Sequence, residues 1–190
     1  MAFKGRDMGS DGLEAEIVHL IGAEAAVALA NAFGGTRLYV PARVTERQEL
    51  SQVIGLSAAR KLSARFSPDI IRVPLMRELR AAHFLADGLS VAKVAVRLGM
   101  TEQGVDGLIR RLKDGGALVD IALCELRGAV GARAADVLVS ALGGKWVNLL
   151  TVDHEDHPIV LWTGREVAQA LVAAYGPRVV RIPAAQGASR

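Results

Sequence analysis

The chain has 190 residues, 51% of them hydrophobic and only 4% aromatic, so a sizeable core must be assembled mainly from alanine, leucine and valine. Mean hydropathy is +0.28, yet Glu24, Arg60, Lys61 and Gln169 interrupt the alanine-rich stretches before they reach the ~18 apolar residues of a membrane span, which argues against a membrane protein. The net charge of +3 is uneven: residues 42–114 hold 13 Lys/Arg against 8 Asp/Glu, and the remainder 10 against 12, so the middle of the chain is the part suited to a nucleic-acid partner.

The first stretch, "MAFKGRDMGSDG", lacks an apolar segment of signal-peptide length, and residues 1–12 read as a flexible tail. The single Cys124 has no partner for an internal disulfide, which fits a reducing compartment and a cytoplasmic location.

Residues 13–76 contain a pattern written twice. "IGAEAAVALANAFGGTRLYVP" and "IGLSAARKLSARFSPDIIRVP" open at Gly22 and Gly55 and close at Pro41 and Pro74, each proline 19 positions after its glycine. A second pair occupies 120–183, opening at Gly131 and Gly164; only the last copy ends on the matching proline, Pro183. Within each pair the glycines are 33 apart, which implies a duplicated pair. Ala26, Ala59, Ala135 and Ala168 share one helical offset, and Leu29, Leu62, Leu138 and Leu171 follow three positions on. Phe33, Phe66, Leu142 and Tyr175 complete the i, i+3, i+7 stripe of a buried helix face. Each helix stops at "GG", "SP", "GG" or "GP", where glycine would take a left-handed cap, and a β-branched segment follows. Each copy therefore predicts one helix and one short strand. Residues 42–53 and their counterpart in the second half read as connections.

Residues 77–119 separate the halves and predict three helices. The first covers 76–86 and ends at Asp87–Gly88; Ser90 caps a second over 91–98; Gly99 turns; Thr101 and Glu102 open a third that runs to Lys113. The short middle helix and tight turn follow a helix-turn-helix pattern, with Ala95 at the helix crossing. In that reading Thr101, Gln103, Gly104 and Asp106 face base edges, Gln103 suiting adenine and Asp106 cytosine. Lys93, Arg97, Arg110, Arg111 and Lys113 would contact phosphate. Residues 184–190 read as a flexible end. The expected class is α+β, mainly helical with short strands, with four helix-strand repeats in two halves flanking a trihelical unit.

The segment "FGGTRLYVP", followed by a helix-turn-helix, resembles the Mor transcription activator family of phages and prophages over about residues 15–114. Gly34, Gly35, Tyr39 and Pro41 match that family's strand segment, and 101–111 its recognition helix. The resemblance implies a dimeric regulator that docks recognition helices on double-stranded DNA and recruits host RNA polymerase. Ser67, Pro68 and Arg72 depart from the pattern in the second copy, and residues 120–186 have no counterpart in the family. One chain would then contain the pairing that the family obtains by dimerisation, an intrachain pseudo-dimer. The other function class that these residues fit is a phage structural, packaging or assembly protein whose repeats pair subunits.

The densest group of ligand-type residues is His154, Glu155, Asp156 and His157 in "TVDHEDHPIVLW", which reads as a polar loop for want of a third, separated ligand group. His19 and His83 are isolated, and no "GxxxxGK[ST]", "GxSxG" or "HExxH" motif occurs. No metal, cofactor or enzymatic activity is expected.

Overall fold

The computed structural model describes residues 10–185, which form two compact units, one running to Arg80 and one beginning at Ala81. Both combine helices with short strands, an α+β architecture.

The first unit contains α1 (Ser10–Ile21), α2 (Ala23–Phe33), β1 (Arg37–Val40), α3 (Glu49–Ile54), α4 (Leu56–Phe66), β2 (Asp69–Arg72) and the start of α5 (Arg77–Ala86). Helix α1 begins at Ser10, inside the stretch read as a tail; residues 1–9, like 186–190 at the other end, lie outside the described residues. Helices α1 and α3 each pack against both α2 and α4, and α4 also covers an antiparallel ribbon in which Leu38 faces Ile71 and Tyr39 faces Ile70. At the start of α5, the buried Arg80 donates from Nε to Asn31 Oδ1 on α2 at 2.7 Å.

The second unit continues α5 and adds α6 (Val91–Leu98), α7 (Glu102–Asp114), β3 (Leu118–Asp120), α8 (Leu123–Val130), α9 (Ala132–Leu142), β4 (Trp146–Asn148), a 3-10 turn at Leu149–Thr151, α10 (Pro158–Thr163), α11 (Arg165–Tyr175) and β5 (Val179–Arg181). Its sheet has the order β3-β5-β4, with β3 parallel and β4 antiparallel to β5. Helices α8 to α11 pack in the same cyclic pattern as α1 to α4.

A shift of 109 positions carries Gly22 onto Gly131 and Gly55 onto Gly164. The same shift carries α2, α3 and α4 onto α9, α10 and α11 with identical bounds. It also carries the Leu38–Ile71 strand pair onto Val147–Val180. All four opening glycines have φ between 79° and 85°, a conformation that strains any residue with a Cβ. The four repeat alanines and four repeat leucines are all 0% exposed, so helix approach and core filling rest on the same eight side chains.

Three details differ from the sequence reading. Each copy holds two helices around its opening glycine, because α1, α3, α8 and α10 precede those glycines. Helices α3 and α10 span six residues each, too few for a 3.6-residue period to stand out. The residues capping α2 and α9, Gly34 and Gly143, have φ near −55° and −53°, and a Cβ there would lie 2.4 Å from the oxygen of Ala30 or Val139. Glycine is needed at these caps for close backbone approach, and the left-handed residue is the next one, Gly35 or Gly144. Strand β3 was not expected at all; its partner, β5, lies some sixty residues further along.

Candidate nucleic-acid interface

The trihelical unit is built by local rules. Ser90 Oγ accepts the Lys93 N–H at 3.4 Å and opens α6. Gly99 closes it in the left-handed region, at φ 62° and ψ 43°. Thr101 Oγ1 then accepts the Gly104 N–H at 3.1 Å and opens α7. Val94, Ala95 and Leu98 of α6 and Val105, Leu108 and Leu112 of α7 are buried with Ala81, Phe84 and Leu85 of α5. The polar residues of α6 and α7 are thereby turned outward.

The expected contact residues fall into three groups. Gln103, Asp106 and Arg110 are exposed at i, i+3 and i+7, one stripe along α7, and Lys93 and Arg97 are exposed on α6, where the Arg97 guanidinium lies 5.9 Å from the centre of the Phe84 ring. Arg111, also exposed, bends back toward the Gly107 carbonyl at 3.5 Å. Thr101 and Gly104 are occupied in the helix cap: the hydroxyl already accepts a hydrogen bond, and a Cβ at Gly104 would meet Met100 Cε at 3.1 Å. Their place is structural, which the sequence reading did not separate from base contact. Lys113 is also engaged. Its Nζ lies 2.5 Å from Asp120 Oδ2 on β3 and 5.5 Å from the Trp146 ring centre, while Arg181 stands 5.8 Å from the same ring. Lys113 therefore fastens α7 to the sheet, a role invisible while β3 was unrecognised. Glu102, Asp106 and Asp114 are exposed on α7 as well, so its outer surface has mixed charge.

In the first unit, Gly34 and Gly35 form the turn into β1; the Gly35 N–H donates to the Val73 carbonyl at 2.9 Å. The Pro41 carbonyl accepts from Ser63 Oγ at 2.7 Å, tying the end of β1 to α4. Tyr39 is 59% exposed. Its cross-strand partner Ile70 is equally exposed, and the next pair on that face is Arg37 opposite Arg72, both exposed. Like charges directly opposite on a ribbon repel, and a polyanion laid on this face would relieve the repulsion. Arg37, Ile70 and Arg72 are candidates for this face that the sequence reading did not single out. The signal lay in the alternation of "RLYV" and "DIIR", which places Arg37 with Tyr39 and Ile70 with Arg72.

The ligand-type residues at 154–157 have another use. His157 is buried; its Nδ1 accepts the Ile159 N–H at 3.3 Å as the cap of α10, so Nε2 carries the proton and donates to the Asn148 carbonyl at 2.9 Å. Burial holds its pKa below the ordinary 6.5, partly offset by that carbonyl contact. Both ring nitrogens are thus occupied. Among the described residues no group of three or more His, Cys, Asp or Glu side chains is placed to hold a metal ion, and no helix is long and apolar enough to cross a membrane.

Compared with models of protein families, with curated proteins and with solved structures, the chain matches none.

Proposed function

We propose that the chain is a cytoplasmic, non-catalytic DNA-binding regulator of the Mor-like phage or prophage type. Its repeats serve oligomerisation, its trihelical unit meets double-stranded DNA as a helix-turn-helix, and host RNA polymerase is a further partner that the resemblance implies. The observation that carries this reading is the α6–Gly99–α7 corner: two capped helices joined by a left-handed glycine, leaving Gln103, Asp106 and Arg110 on one solvent-facing stripe. Gln103 and Asp106 have the hydrogen-bonding groups for base edges, and Arg110 and Arg111 the charge for phosphate. The exposed Arg37 and Arg72 of the β1–β2 ribbon offer a second basic element.

The test is duplex binding followed by fluorescence anisotropy over a range of salt concentrations. Replacing Arg110 and Arg111 with alanine should flatten the log–log salt slope by roughly 1.8, the loss of two phosphate contacts, without changing oligomer size. Absence of binding to any duplex at low salt would overturn the reading. The second reading, a phage structural, packaging or assembly protein, is favoured by the exposed Leu161 and Trp162, and collapse of assembly in the Arg110/Arg111 variant would support it.

A further inference from the structure

Helices α9 and α10 border a groove of about 490 Å³, lined by Arg133, Asp136, Val137, Ser140, Ala141 and Trp162. Trp162 is 59% exposed, its neighbour Leu161 67% and Val137 37%, an apolar surface on the outside of a unit with a complete core of its own. The first unit shows that the repeat does not require this surface. Under the 109-residue shift, Val137, Leu161 and Trp162 correspond to Ala28, Gln52 and Val53, on helices with the same bounds as α9 and α10. The same backbone is built there with a small residue, a polar residue and a smaller apolar one. The counterpart of Ser140, Asn31, is held by the buried Arg80.

We infer that the α9–α10 face is the contact between two copies of this chain, related by a twofold axis. The charges select the occupant. Arg133 and Asp136 stand three residues apart on α9, one of each sign beside the same apolar groove, and Asp136 takes its 2.8 Å contact from Arg127 while 61% exposed. A surface carrying both signs is complementary to a rotated copy of itself: Arg133 of each copy meets Asp136 of the other, so one contact makes two ion pairs. Trp162 then enters the groove of the opposite copy, the large aromatic anchor that such contacts favour. The inference goes beyond oligomerisation by the repeats in general, because it assigns the contact to the second half alone. It does not depend on DNA binding: a chain that dimerises through this face yet binds no duplex would keep the inference and lose the proposed function.

The test is sedimentation equilibrium of the full chain at micromolar concentration, with circular dichroism to monitor folding. The wild-type chain should be a dimer. Leu161→Gln and Trp162→Val install the residues that the first unit holds at these positions, so the fold should persist while the dimer weakens by about tenfold or more each. Arg133→Glu and Asp136→Arg should each weaken it, and the double exchange made together with Arg127→Glu should restore it, since the pairs re-form with signs reversed and position 136 keeps an opposite charge at position 127. A wild-type monomer would overturn the inference, as would a dimer unaffected by Trp162→Val in a folded chain. Charge variants that weaken the dimer without rescue by this combined exchange would overturn the twofold pairing.

Discussion

His157 illustrates how one side chain can have a chemistry that its neighbours in sequence conceal. Beside His154, Glu155 and Asp156 it belonged to a candidate ligand cluster, yet in the fold it is buried and both ring nitrogens are taken by backbone groups. The neutral ring is the form that caps α10, because a protonated Nδ1 cannot accept the Ile159 N–H. Burial lowers the folded-state pKa below 6.5, so the unfolded chain binds the proton more readily. The contribution to stability is therefore complete above 6.5 and is lost as pH falls below that value toward the lower folded pKa. Urea unfolding midpoints should drop across this window in the wild-type chain. His157→Asn keeps a capping acceptor but has nothing to titrate there, and should show a smaller drop. Equal pH dependence in both would show that another group controls it.

At the scale of elements, the repeat is a helix, a glycine at positive φ, a second helix and a strand, and its energetics are concentrated in few atoms. Leu62 of α4 and Leu171 of α11 are both 0% exposed and are related by the 109-residue shift. Truncation of either to alanine should cost about 2–5 kcal/mol, measured by denaturant unfolding, whereas Leu161→Gln on the outside of α10 should stay within about 0.5 kcal/mol in the dissociated chain. A much smaller loss at Leu62 than at Leu171 would mean that the two copies do not share a core design. Legibility in the sequence followed caps and repeat pattern. Helix α6 spans the 91–98 expected from its serine cap and terminal glycine, and α7 begins and ends within a residue of expectation, because caps are local chemistry. The six-residue α3 and α10 and the three-residue β3 were not legible: a helix under two turns has too little period, and β3 lies outside the repeat whose pattern marks the equally short β4 and β5.

For the whole molecule, the two halves share a backbone plan and differ in surface. Arg37, Arg43, Arg60, Lys61 and Arg65 of the first half correspond to Trp146, Val152, Gln169, Ala170 and Ala174 of the second, whereas Arg133, Lys145, Arg165 and Arg178 of the second correspond to Glu24, Thr36, Leu56 and Asp69, so the two halves place most of their cations at different repeat positions. The Arg37–Arg72 strand pair becomes Trp146–Arg181, with the guanidinium 5.8 Å from the ring centre. If the first half meets DNA, replacing Arg37 and Arg72 with alanine should lower the salt slope of duplex binding by up to about 1.8, and replacing Arg165 of α11 should leave it unchanged. An unchanged slope in the Arg37/Arg72 variant would remove the ribbon from the interface. Sequence by itself determined the duplicated glycine, alanine and leucine positions, the capped α6–α7 corner and the basic middle of the chain, because each is written in local spacing and composition. Only the tertiary structure decided that Lys113 belongs to Asp120 and Trp146, that His157 caps a helix, and that Leu161 and Trp162 stay outside the core. Those outcomes depend on which distant segments meet, and local spacing does not encode them.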